Sequence, residues 1–111
     1  MPDPIFQGRL ASGVTEYYEV SVRAGTIGLH IGWFDAVSSA TITIELTSVP
    51  GVAANSTVAW HWKDSGVSIT GPAATAIGAA SINIENVRQI RARIKIVTAA
   101  ITQLGIWEQG A

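Results

Sequence analysis

The sequence predicts an all-β protein, an antiparallel β-sandwich or a small barrel of about eight short strands. Three observations predict it. Apolar and polar residues alternate with period two along most of the chain, and helical spacing is rare. The alternating segments are rich in isoleucine and threonine, whose branched β-carbons suit a pleated, half-buried surface. Turn signals recur about every eight to twelve residues, the spacing of sandwich and barrel strands.

The first predicted strand is VTEYYEVSV, with Tyr18, Val20 and Val22 on one face and Thr15, Tyr17, Glu19 and Ser21 on the other. Arg23-Ala24-Gly25 reads as a turn into TIGLHIGWF, where Ile27, Leu29, Ile31 and Trp33 oppose Gly28, His30 and Gly32. In TITIEL, Ile42, Ile44 and Leu46 point inward, and Thr41, Thr43 and Glu45 point outward. Pro50-Gly51 breaks the chain and GVAANS is loop-like. TVAWHW reads as a further strand, and Asp64-Ser65-Gly66 as a turn leading to VSIT, with Val67 and Ile69 on one face. GPAATAIGAA reads as a surface loop whose alanines are the one place where a helical turn is a risk. ASINIE turns Ile82 and Ile84 inward, and Asn86 marks a bend. RQIRARIKIV places Ile90, Ala92, Ile94 and Ile96 on the core face, and ITQLGIWEQ places Leu104 and Ile106 there with Trp107 opposite. No repeat or linker divides the chain, so residues 1–111 are expected to form one domain.

Composition narrows the function. Hydrophobic residues make up 48% of the 111 residues and charged residues 14%, well below the roughly 25% of ordinary soluble domains. Part of the outer surface is therefore expected to be apolar or covered by a partner. Without cysteine there are no disulfides, thiolate catalysis or cysteine-ligated metals. A net charge of −1 argues against a nucleic-acid partner. The first ten residues lack the basic and apolar regions of an export signal, and no apolar run approaches the roughly 20 residues of a membrane span. The chain is expected to be soluble, with no membrane partner.

Each candidate site competes with a structural role. VAWHWKDSG holds two of the four tryptophans. On a regular strand Val58, Trp60 and Trp62 share a face, so Trp60 is expected in the core. Trp62, nearer the turn, is a candidate contact, and His61 falls on the opposite face, which speaks against a joint Trp-His site. His30 and His61 are too few to hold a metal, and no GxSxG elbow accompanies them. No catalytic residue, cofactor or metal is expected. In VRQIRARIKIV, Arg88, Arg91, Arg93 and Lys95 place four of the seven basic residues within eight positions. Two readings stand for them: a solvated face paired with glutamates of neighbouring strands, or a basic stripe that docks on an acidic partner. Tyr17, Phe34 and Trp107 lie opposite their strands' main apolar rows. Together with Trp62 they are the candidate interface aromatics.

From Ser38 onward the pattern SSATITIEL, then WHWKDSG, then AASINIENVRQIRARIKIVTAA is similar to small β-sandwich proteins of tailed-bacteriophage particles. The resemblance covers roughly residues 36–108. It is greatest to the jelly-roll capsid decoration (cement) proteins of short-tailed phages of the epsilon15 kind. The resemblance implies a jelly-roll β-sandwich and a non-enzymatic role: binding the outer surface of the capsid and stapling neighbouring major capsid protein subunits. It also implies assembly in the host cytoplasm and self-association at symmetry axes, a dimer first and a trimer second. Arg88, Arg91, Arg93 and Lys95 would then meet acidic capsid loops. The alternative is a carbohydrate- or receptor-binding module of a phage fibre or tail, with Trp62 or Trp107 stacking on a sugar ring.

Overall fold

The computed structural model describes residues 4–35, 37–72, 78–89 and 91–109. Eight strands form: β1 (Phe6–Leu10), β2 (Thr15–Val20), β3 (Thr26–Trp33), β4 (Ala40–Thr47), β5 (Lys63–Gly71), β6 (Gly78–Glu85), β7 (Arg91–Thr98) and β8 (Thr102–Glu108). Antiparallel pairing builds two four-stranded sheets, sheet A in the order β1-β8-β3-β6 and sheet B in the order β2-β7-β4-β5. The chain changes sheet at every step except from β4 to β5. That alternation of sheets is the strand order of an eight-stranded jelly roll. Among the described residues no helix occurs, and none is long and apolar enough to cross a membrane.

Period-two alternation explains the packing. Ile27, Leu29, Ile31 and Trp33 of β3 meet Ile42 and Ile44 of β4, Ala92, Ile94 and Ile96 of β7, and Leu104 and Ile106 of β8 in one buried cluster. Each sheet turns one face inward, and the polar partners on every strand are left on the outer faces. The inner strands come from distant parts of the sequence, so the core closes only when both halves of the chain are in place.

The strand count agrees with the sequence reading, although one member differs. Phe6–Leu10, not anticipated as a strand, pairs along β8 from Phe6↔Ile106 to Leu10↔Thr102. Its inward residues are Phe6, Gly8 and Leu10, and the glycine interrupts the apolar alternation that would have revealed it. Conversely, TVAWHW is not a strand. The chain from Ser48 to Trp62 is an irregular excursion, and β5 begins at Lys63. Asp64-Ser65-Gly66 lies inside β5, where the register with β4 shifts between Thr43 and Glu45. Gly66 takes φ +83° there, and the Asp64 carboxylate accepts its backbone N–H at 2.7 Å. Such a bulge on an edge strand discourages pairing with another sheet. Ile90 and half of the predicted surface loop, residues 73–77, lie outside the described residues, while Gly71 ends β5 and Gly78, Ala79 and Ala80 open β6 rather than belonging to a loop.

The turn at Arg23 has a testable cost. Arg23 and Thr26 exchange both backbone hydrogen bonds at 2.9 Å. Ala24 and Gly25 between them have φ of 52° and 74°. Positive φ at both central positions is the two-residue hairpin geometry that favours Asn-Gly. An alanine there carries its β-carbon into the left-handed region at a cost of about 1 kcal/mol. Ala24→Asn is expected to raise stability by about 0.5–1 kcal/mol, read as a higher urea midpoint at unchanged slope.

Candidate contact surfaces

On the outer face of sheet B, β7 runs between β2 and β4, and Arg93 is in register with Glu19 on one side and Glu45 on the other. Its guanidinium turns to Glu45, with Nε donating to Oε1 at 2.8 Å and the Nη2–Oε1 distance 2.7 Å. Nη1 donates to the carbonyls of Ala54 and Ser56, both at 2.8 Å. The ring of Tyr17 lies 4.0 Å from the guanidinium carbon and that of Trp62 4.7 Å. The arginine is thus held between two aromatic rings, and it is only 4% exposed.

Arg91 repeats the scheme one pleat away. Nε and Nη2 bind the two Glu19 oxygens at 3.0 and 2.6 Å, and Nη1 donates to the carbonyl of Val52. The hydrogen bond from Arg91 is the main cause holding the Glu19 carboxyl below the usual carboxylate range, partly opposed by burial and helped by the arginine's charge. The same bond raises the Arg91 pKa. Trp62 Nε1 donates to the carbonyl of Ala53 at 3.0 Å. Four carbonyls of the excursion, at Val52, Ala53, Ala54 and Ser56, therefore accept from Arg91, Trp62 and Arg93. Irregular backbone laid over a sheet must satisfy its polar groups. A guanidinium offers five donors and no acceptor, which suits a row of carbonyls. The excursion is a strap, pinned across the outer face of sheet B.

This placement corrects several expectations. Arg93 is buried and Arg91 half-buried, and each pairs its charge with a glutamate and binds strap carbonyls within the chain, so they do not form an open docking stripe. Pairing with glutamates of the flanking strands is what the structure contains. Arg88 is exposed in the connection before β7, and Lys95 is half-buried on β7 opposite Tyr17 and Thr43. Tyr17 is half-buried against Arg93, and Trp62 is 6% exposed beneath the strap, so it offers no ring to a partner. Trp60, expected in the core, is 70% exposed. Strand parity does not apply to a segment that is not a strand. Trp60 and His61, expected on opposite faces, meet edge to face with ring centroids 4.3 Å apart.

The outer face of sheet A has a different character. Gly32 of β3 pairs across from Gly105 of β8, with His30 opposite Trp107 one step along. The opposed glycines make a floor without side chains, and the Trp107 indole lies on it. A β-carbon at Gly105 would come within 2.2 Å of Trp107 Cη2 and 3.0 Å of Phe34 Cζ. Phe34 is 43% exposed beside it, and the His30 ring lies 6.1 Å from the Trp107 ring. Phe34 and Trp107 are the two interface candidates that this face brings together. The paired glycines of IGWF and LGIW were the sequence signal for the platform. Among the described residues no group of three or more His, Asp or Glu side chains is placed to hold a metal ion.

No protein-family model, curated protein or solved structure matches the chain.

Proposed function

We propose that the chain is a non-enzymatic decoration protein of a tailed-phage capsid, bound to the outside of the assembled shell through the outer face of sheet A. The observation that carries this reading is the Phe34–Trp107 platform seated on Gly32 and Gly105. Aromatic side chains dominate the energetics of protein interfaces, and a ring already fixed on its floor loses little freedom on binding. The proposed partner, the major capsid protein, rests on the sequence pattern of residues 36–108 alone. Jelly rolls serve in viral capsids and in lectins alike, so the fold permits the role without dictating it.

Size supports the reading. The molecule measures 39 × 30 × 23 Å, and its broad faces accommodate the about 800 Å² per partner of a standard interface. The strap covers the part of sheet B around Arg91 and Arg93, whereas the Phe34–Trp107 platform on sheet A is free of it. Many copies on one shell turn modest single-site affinity into firm attachment. Placement at a two-fold axis would pair two copies through identical patches, which makes a dimer the first expectation.

Co-sedimentation with purified shells tests the proposal. Phe34→Ser, at an exposed position, is expected to keep the melting temperature and weaken shell binding at least about tenfold, or ~1.4 kcal/mol. Equal binding by the variant rejects the sheet A face. Failure of the unaltered protein to bind shells rejects the decoration role itself. A second reading, a carbohydrate- or receptor-binding module, is favoured by one observation: the exposed Trp60 beside Asp64 and Gln89.

A further inference from the structure

The strap leaves a cavity of about 430 Å³ at its β5 end, within the range of small-ligand pockets. Trp60, His61, Lys63, Asp64, Ser65 and Gln89 line most of it. We propose that this cavity is a saccharide-binding site, with the Trp60 indole as the stacking platform. The inference rests on the saccharide reading of the chain and names the site for it. It does not depend on shell docking.

The chemistry of the walls selects the ligand. A pyranose ring presents an apolar C–H face, ringed by hydroxyls that both donate and accept. Trp60 supplies the matching flat apolar surface, 70% exposed. Around it, the Lys63 ammonium donates, the Asp64 carboxylate accepts and the Gln89 amide does both. One Asp64 oxygen holds the Gly66 N–H at 2.7 Å, and the other has no protein partner among the described residues. An anionic ligand would gain from Lys63 and lose to Asp64. A purely apolar ligand would strand both charges from water. A neutral polyhydroxyl ligand with one apolar face satisfies every wall.

The platform is also held in place. His61 Nδ1 shares a hydrogen bond with Ser56 Oγ at 2.6 Å, and the two rings stand edge to face at 86°. The carbonyl of Ser56 is in turn gripped by Arg93. A fixed aromatic costs little ordering on binding. None of the residues lining the cavity belongs to a strand of sheet A, so a copy docked through the outer face of sheet A would leave the Trp60 cavity free.

A printed array of oligosaccharides built from hexoses, N-acetylhexosamines and deoxyhexoses tests the site, with labelled protein at equal concentration. The expected result is a set of saccharides bound by the unaltered chain, lost at least tenfold in Trp60→Ala and reduced in Asp64→Asn. Both variants should keep the melting temperature, since Trp60 is exposed and asparagine retains the acceptor for Gly66. Shell binding by Trp60→Ala should be unchanged. Saccharide binding that survives Trp60→Ala but is lost in Phe34→Ser would overturn this site and move the reading to the Trp107 platform. An array on which nothing binds the unaltered chain would overturn both the site and the saccharide reading, leaving the shell assay to decide the decoration role alone.

Discussion

Arg93→Ala is expected to cost about 3–5 kcal/mol of folding stability, the usual loss when one member of a buried ion pair is removed. Three consequences add in the same direction. Glu45, 9% exposed, keeps a buried charge without its partner. The carbonyls of Ala54 and Ser56 lose their donor. Tyr17 and Trp62 lose the planar group packed between them. Against a total stability of about 5–15 kcal/mol, the loss is large enough to read directly from denaturant midpoints. Glu45→Gln should cost less, because an amide still accepts from Arg93 and leaves no unpaired carboxylate. A loss below about 1 kcal/mol for Arg93→Ala would show that the strap is not anchored by this residue.

Trp62→Ala is the second large effect, at about 3–5 kcal/mol for a buried tryptophan. It removes the ring beneath the strap and the donor to Ala53 together. Trp60→Ala, two residues away, should change stability by no more than about 0.5 kcal/mol, as an exposed substitution does. Parallel melts of the two variants read the contrast. Equal losses would place both rings in the core, as strand parity alone would have it.

The two tryptophans also mark where sequence reading stops. Isoleucine alternation in β3, β4, β7 and β8 was enough to find the core faces, because period two is a local property of a strand. Residues 57–62 carry the same apolar alternation without the pairing. Only the absence of a partner strand, a non-local fact, separates an excursion from a strand. The fate of the basic residues was equally non-local. Arg91 and Arg93 find Glu19 on β2, Glu45 on β4 and carbonyls from the strap, and the spacing within RARIK carries no trace of those neighbours. The Trp107 platform was half legible. Parity placed Phe34 and Trp107 outside, but the register that sets Gly32 against Gly105 belongs to the pairing of β3 with β8.

The strap is grasped by its main chain. Arg91, Arg93 and Trp62 take hold of carbonyl oxygens, which every amino acid possesses. The grip is therefore blind to the side chains at Ala53, Ala54 and Asn55. Sequence drift at these positions would leave the tether intact, whereas drift at either arginine would release it. A lineage carrying this chain would be free to revise what the strap displays around Trp60 while the framework beneath it stays fixed. In that respect the excursion resembles a hypervariable loop mounted on a constant frame.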